Sequence, residues 1–396
     1  MMHVIKMLFS KLNLALITRN RINAAEMTAA EGLSPHKVKI AVSMSSNGLG
    51  DSIVSLAWIQ ELYKQMPIPI EFDLYGRVKN LQFLTYKKEY IKGIYPHSLF
   101  ERSIGYDIKL RIHYFVIPLQ FCIPALSEKC PSLIEVLERL QDFNSLYSIY
   151  INTKPSIYGA WASVCMFNGW NRWDVLGANH AIPFNRNSRL DFVQPVDMSS
   201  ILHKFSLQNR PYITIHRGIG SGGIDLEKNK DSWVKILPAK NFGAFCRLFK
   251  EKYPDILIVQ IGEDPIFSLP EADMDLTGKT SLEEVAAVLR HALAHIDGES
   301  GMVHLRRALG GRSVVLFGPT PLDFFAYAEN ENIASPFCNG CMWLVDGANW
   351  NARCLKGFDG PKCLEAIPPE AMLAAAGKIV DPALDPMSPF FVKNIL

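Results

Sequence analysis

Apolar residues recur along this chain in two rhythms. Residues 37–44 (KVKIAVSM), 70–74, 107–112, 212–216, 256–261, 294–296 and 313–317 form short, largely β-branched runs that read as buried strands. Elsewhere apolar positions return at helical spacing, over residues 52–65, 241–252 and 302–309. Strand, helix and strand in repeated order predict an α/β protein with doubly wound sheets. From residue 113 to residue 184 the rhythm gives way to crowded aromatics, Tyr147, Tyr150, Tyr158, Trp161, Trp170 and Trp173, among proline and glycine. These suit either an acceptor-binding wall or an ordinary core. Residues 184–210, rich in Asn, Arg, Ser and Gln, read as a linker between two domains.

Two strand-to-helix turns carry candidate chemistry. The first, SSNGLGD, ends in Asp51 at the mouth of a helix, where open α/β sheets place their ligands. A helix cap is the plainer role for that residue. The second, Gly298-Glu299-Ser300-Gly301, precedes the 302–309 helix. The leading amides of a helix lack internal partners and its dipole is positive there, so an anion fits. Ser300 can cap the helix or donate, and His304, one turn on, shares its face. An ordinary crossover helix shows the same pattern, and neither turn is a G-x-G-x-x-G, which argues against a nicotinamide enzyme. Lys235 ends a long glycine-rich loop and can neutralise phosphate. Thr280-Ser281-Leu282-Glu283 looks like a capping box, and Asp273-Met274-Asp275 reads as structural although it spells Asp-x-Asp.

The 396 residues suit two α/β domains, and 48% hydrophobic with 20% charged residues is ordinary for a globular protein. A net charge of +2 gives no electrostatic reason to expect nucleic acid, leaving small molecules and sugars. Residues 1–25 place Lys6, Lys11, Arg19 and Arg21 among apolar residues, a pattern suited to peripheral membrane or oligomer contact. Lys11 interrupts the apolar run, which makes a poor signal peptide, so a cytoplasmic location is expected. Eight cysteines in a reducing compartment favour metal over disulfides. Cys338, Cys341, Cys354 and Cys363 cluster behind a Cys-x2-Cys pair, and four thiolates suit a closed, structural zinc or iron site.

Taken together, the ordered motifs resemble bacterial heptosyltransferase-like glycosyltransferases, glycosyltransferase family 9. Gly50-Asp51 with SIVSLAWIQELYKQMP looks like the family's Gly-Asp turn and first helix, Lys235-Ile236-Leu237-Pro238 like its Lys-x-Trp-Pro segment, and Glu299 to Leu305 like Asp-(Ser/Thr)-Gly-Pro-Met-His-Leu. Leu237, Glu299 and Met302 depart from the family residues. Leu316 to Thr320 resembles the family's next strand and turn, and CLEAIPPEAML its segment after the cysteines. The resemblance implies a GT-B arrangement of two Rossmann-like domains facing a cleft. We expect an extension over residues 1–36, an acceptor-binding domain over 37–200, a nucleotide-sugar-binding domain over 211–380 with the cysteine loop at 338–363, and a tail over 381–396.

The implied activity is inverting transfer of heptose, or a similar sugar, from an ADP-activated donor to a hydroxyl of a lipopolysaccharide core, another glycan or a protein. Asp51 inherits the role of general base. Lys235, with the Ser300 and Gly301 amides, would stabilise the departing diphosphate without a divalent metal, His304 would contact that phosphate or hold Glu299, and Glu299 would suit ribose hydroxyls. Some protein-directed relatives hold iron on four such cysteines. The alternative is a non-catalytic nucleotide-sugar-binding protein on the same scaffold.

Overall fold

The computed structural model describes residues 37–385 apart from 45–47, 152–157, 179, 194–196, 219–233, 343 and 345–353. The 1–36 extension, most of the glycine-rich loop before Lys235 and residues 386–396 of the tail lie outside the described residues. The chain divides into two compact units, Met1–Ile151 with Trp173–Leu190, and Asn152–Arg172 with Asp191–Leu396. One of its boundaries, between Leu190 and Asp191, lies within residues 184–210. Residues 152–172, however, go with the second unit instead of the first, and there the Arg172 guanidinium lies 5.8 Å from the Phe325 ring centroid.

In the first unit, β1 (Val38–Met44), β2 (Ile70–Gly76), β3 (Ile91–Pro96), β4 (Ile108–Ile112) and β5 (Val116–Phe121) lie in the order β3-β2-β1-β4-β5. The first four pair in parallel, and β5 runs antiparallel to β4. The apolar rhythm marks neither β3 nor β5. Both are half-exposed edge strands, so neither carries a continuous apolar run. Helix α1 (Leu49–Gln65) begins before the expected start at Ser52, with Gly48 as its N-cap. Asp51 is therefore the third helical residue and not the cap. The expected amphipathic face is also absent: Ile53, Leu56, Trp58, Ile59 and Leu62 are all buried, which surrounds most of the helix with protein. Trp173 here and Trp161 in the second unit are each 1% exposed, so these two of the crowded aromatics are core.

The second unit holds β6 (Tyr212–Ile215), β7 (Leu257–Gln260), β8 (Met274–Asp275), β9 (His295–Gly298), β10 (Ser313–Phe317) and β11 (Glu331–Ala334) in the order β11-β10-β9-β6-β7-β8. Every pairing is parallel. The order reverses between β6 and β9, and open sheets bind ligands at the carboxyl ends of strands flanking such a switch. Helix α2 (Ala239–Lys252) turns Phe242, Phe245 and Phe249 into the core against Ile379 and Val380 of the carboxyl-terminal helix (Pro369–Leu384). Removing one such ring costs about 3–5 kcal/mol. Helix α3 (Leu282–His291) does open with a capping box, but Ser281 is the cap and Glu284 its partner, one residue later than expected. Asp273 and Asp275 serve structure: Asp273 accepts the Ile258 amide, and Asp275 accepts Ser268 and Thr277 hydroxyls. No described helix is long and apolar enough to cross a membrane.

Candidate active site

The switch point of the second sheet is lined by charge, and period-two alternation explains why. Thr214 on β6 pairs in register with His295 on β9, so the next residues on the same face, His216 and Asp297, also meet. Thr214 Oγ1 lies 3.1 Å from His295 Nδ1, and His216 Nδ1 lies 2.9 Å from Asp297 Oδ2. His295 Nε2 reaches the same carboxylate oxygen at 3.3 Å, while the Gly298 amide donates to Asp297 Oδ1 at 2.7 Å. Burial resists ionisation of Asp297, but His216 and His295 outweigh it and hold the carboxyl down to about 2. In turn burial opposes charge on His216, yet Asp297 raises its affinity for the proton. His295, which shares that partner, is pushed the other way by its burial.

Glu299, Ser300 and helix α4 (Gly301–Ala308) come directly after β9. Ser300 both caps and donates, as its two expected roles allowed, but its donor partner is internal. Its oxygen accepts the Met302 amide at 3.1 Å and its hydroxyl donates to Asp297. Lys235 approaches from the loop after β6. Its Nζ lies 3.0 Å from Glu299 Oε2, and His304 Nε2 lies 3.4 Å from Glu299 Oε1. Burial opposes charge on Glu299 as well, but the Lys235 ammonium and His304 hold its carboxyl well below the usual carboxylate range. Tyr327, 3% exposed, meets His304 Nδ1 through its hydroxyl at 2.5 Å.

The structure thus brings Lys235, Glu299, Ser300, Gly301 and His304 together in one unit, while Asp51 sits on the first turn of α1 in the other. Asp297, His216, His295 and Tyr327 were not among the residues expected from the sequence. A signal existed for three of them: Thr-x-His and His-x-Asp repeat at period two on apolar strands, where buried polar groups need partners.

The four clustered cysteines carry no disulfide. Burial pushes the Cys363 thiol up to about 12, with Cys338, Cys341 and Cys354 adding to the rise, and Cys341 is raised by burial and by Cys338 and Cys354. Four soft donors suit zinc or iron. Among the described residues, though, no three His, Cys, Asp or Glu form a ligand set. Most of the chain joining Cys341 to Cys354 lies outside those residues.

Residues 263–343 match the family described as Glycosyltransferase family 9 (heptosyltransferase). The second unit carries a family 9 segment. It contains Glu299, Ser300, Gly301, His304, Cys338 and Cys341, and Lys235 precedes it. Solved structures with the same fold include the ADP-heptose lipopolysaccharide heptosyltransferase II of E. coli (15% identity, 88% of this chain and 100% of that one, TM-score 0.51). The family 9 glycosyl transferase of Veillonella parvula DSM 2008 is similar (16% identity, 89% and 99%, TM-score 0.53). So is TibC from enterotoxigenic E. coli H10407, an iron-containing dodecameric glycosyltransferase (16% identity, 87% and 79%, TM-score 0.54). TibC has also been solved in complex with ADP-D-beta-D-heptose. No curated protein matches the chain. The fold is accordingly of the GT-B class, with two Rossmann-like units.

Proposed function

We propose that this protein is an inverting glycosyltransferase that moves a heptose, or a similar sugar, from an ADP-activated donor to a hydroxyl of a glycan, a lipopolysaccharide core or a protein. The observation that carries the reading is the Lys235, Glu299 and His304 group at the carboxyl end of β9 and the start of α4, within and beside the family 9 segment. A cation and a helix amino terminus at one place suit a diphosphate leaving group.

The steps follow from that chemistry. Asp51 removes the proton of the acceptor hydroxyl as its oxygen attacks the anomeric carbon. The bond from that carbon to the diphosphate oxygen breaks, and Lys235 with the Gly301 amide stabilises the charge left on the phosphate. Ser300, whose hydroxyl is committed to Asp297, contributes through the shape of the turn and its own amide. His304 orients Glu299, which can accept from donor hydroxyls once Lys235 turns to phosphate. Transfer needs no divalent metal. Cys338, Cys341, Cys354 and Cys363 would be the residues to hold a zinc or iron ion, whose contribution would be to folding.

A second reading, a nucleotide-sugar-binding protein without turnover, is favoured by one feature: Glu299 already occupies Lys235 with an anion of the protein's own. Mass spectrometry of acceptor extracts incubated with ADP-heptose and other nucleotide sugars tests both. A mass increase of one sugar on an acceptor supports transfer, and donor binding with neither transfer nor hydrolysis supports the second reading. Elemental analysis should find about one zinc or iron per chain; metal-free, fully folded protein would remove the cysteine site.

A further inference from the structure

Inside the second unit, the His216 imidazole has a ring edge that no described residue hydrogen-bonds. His216 is 8% exposed at the carboxyl end of β6, beside the topological switch. Its Nδ1 is committed to Asp297 Oδ2. Among the described residues its Nε2 makes no hydrogen bond. Gly262, at the end of β7, leaves that edge room: a Cβ on Gly262 would lie 3.5 Å from His216 Cδ2 and 4.0 Å from Nε2. The neighbouring Gly298 also sits close to the lysine segment, because a Cβ there would lie 3.8 Å from the Lys235 carbonyl oxygen. Asp297 thus connects His216 on one side with the Gly298 turn and Ser300 on the other.

A polar atom without a described protein partner, on a residue that is more than nine-tenths buried, marks a place where a ligand can complete the set. A metal-independent diphosphate site needs several N–H donors, and Lys235 is shared with Glu299. We propose that His216 Nε2 is an N–H donor to the diphosphate of the donor nucleotide, with Asp297 as the positioning residue that orients the ring. This rests on reading the carboxyl end of the second sheet as the diphosphate site. The charged or titratable groups around His216 are Asp297 and His295 on β9, Arg217 next in the chain, Lys235 across Gly298, and Glu263 beside Gly262. Asp297 favours the protonated imidazole, in which Nε2 carries the hydrogen that phosphate needs.

The test is calorimetric titration of the full chain with ADP between about pH 6 and about pH 9. His216→Asn keeps an amide near Nδ1 for Asp297 but has nothing at the Nε2 position. It should bind ADP about tenfold more weakly at the acidic end, with the difference from wild type shrinking as pH rises. His216→Gln carries its amide near the Nε2 position and should keep affinity within about threefold, without the imidazole's pH response. Wild-type affinity and pH response in His216→Asn would overturn the proposal. If circular dichroism shows that variant unfolded, a wild-type pH response in His216→Gln overturns it instead. Failure of the wild type to bind ADP overturns the diphosphate reading itself, whereas wild-type binding with an unaltered variant removes His216 alone.

Discussion

Each unit buries carboxylates against cations, but at opposite ends of its sheet. In the first, Asp107 lies just before β4, where it accepts the Lys39 amide at 2.9 Å and the Lys129 ammonium at 2.7 Å with its side chain 1% exposed. In the second, Asp297 and Glu299 stand at the carboxyl end of β9. Ligands of open α/β sheets meet carboxyl ends, not amino ends. The same chemical device therefore joins β1 to β4 in one unit and, in the other, lies beside the proposed diphosphate site. Burial and pairing alone do not separate the two cases; the end of the sheet does.

The largest test of that contrast lies on the first unit's own carboxyl end. Asp51→Ala should lower transfer by about 10²–10⁴-fold while leaving ADP affinity nearly unchanged, read by product mass spectrometry and calorimetry. Near-normal turnover would remove Asp51 as base. Next come the two buried ion pairs. Asp107→Ala and Asp297→Ala should each cost about 3–5 kcal/mol in urea unfolding, because each leaves a buried cationic partner unpaired. Only the second pair should affect ligand: Asp297→Asn should weaken ADP binding and Asp107→Asn should not, and equal effects would break the comparison. Lys235→Ala should lose about 1.5–3 kcal/mol of ADP affinity, and unchanged calorimetric affinity would count against its phosphate role. The smallest effect concerns acid. The folded-state carboxyl of Asp297 is depressed from 3.8 to about 2, so its stabilisation is present above 3.8 and is lost as pH falls through that interval. The loss is on the order of 2 kcal/mol, and urea midpoints should fall less steeply over that window in Asp297→Asn than in wild type.

Much of the fold is legible in the chain itself. Strands β1, β2, β4, β6, β7, β9 and β10 coincide with apolar runs because both their faces are covered. Strands β3 and β5 escape because edge strands alternate with solvent. The start of α1 is misplaced in sequence because Asp51 is a good capping residue, while the chain turns earlier, at Gly48. Among site residues, Lys235, Glu299, Ser300 and His304 are visible as motif positions, since their turn has a local pattern. His216 and Asp297 leave only the weaker period-two signal of Thr-x-His and His-x-Asp, which does not say that the two strands are neighbours.

What the sequence by itself determined is therefore local: which segments become strands and helices, where a glycine-bearing turn opens α4, and that four cysteines fall between residues 338 and 363. The partnerships were decided by the tertiary structure. Lys235 finds Glu299 across 64 residues, and His216 finds Asp297 across 81. Period-two alternation says which face of a strand a side chain occupies but not which strand lies beside it. Only the insertion of β9 next to β6 brings the histidine to the carboxylate, and only the low dielectric of that buried junction makes their charges hold each other.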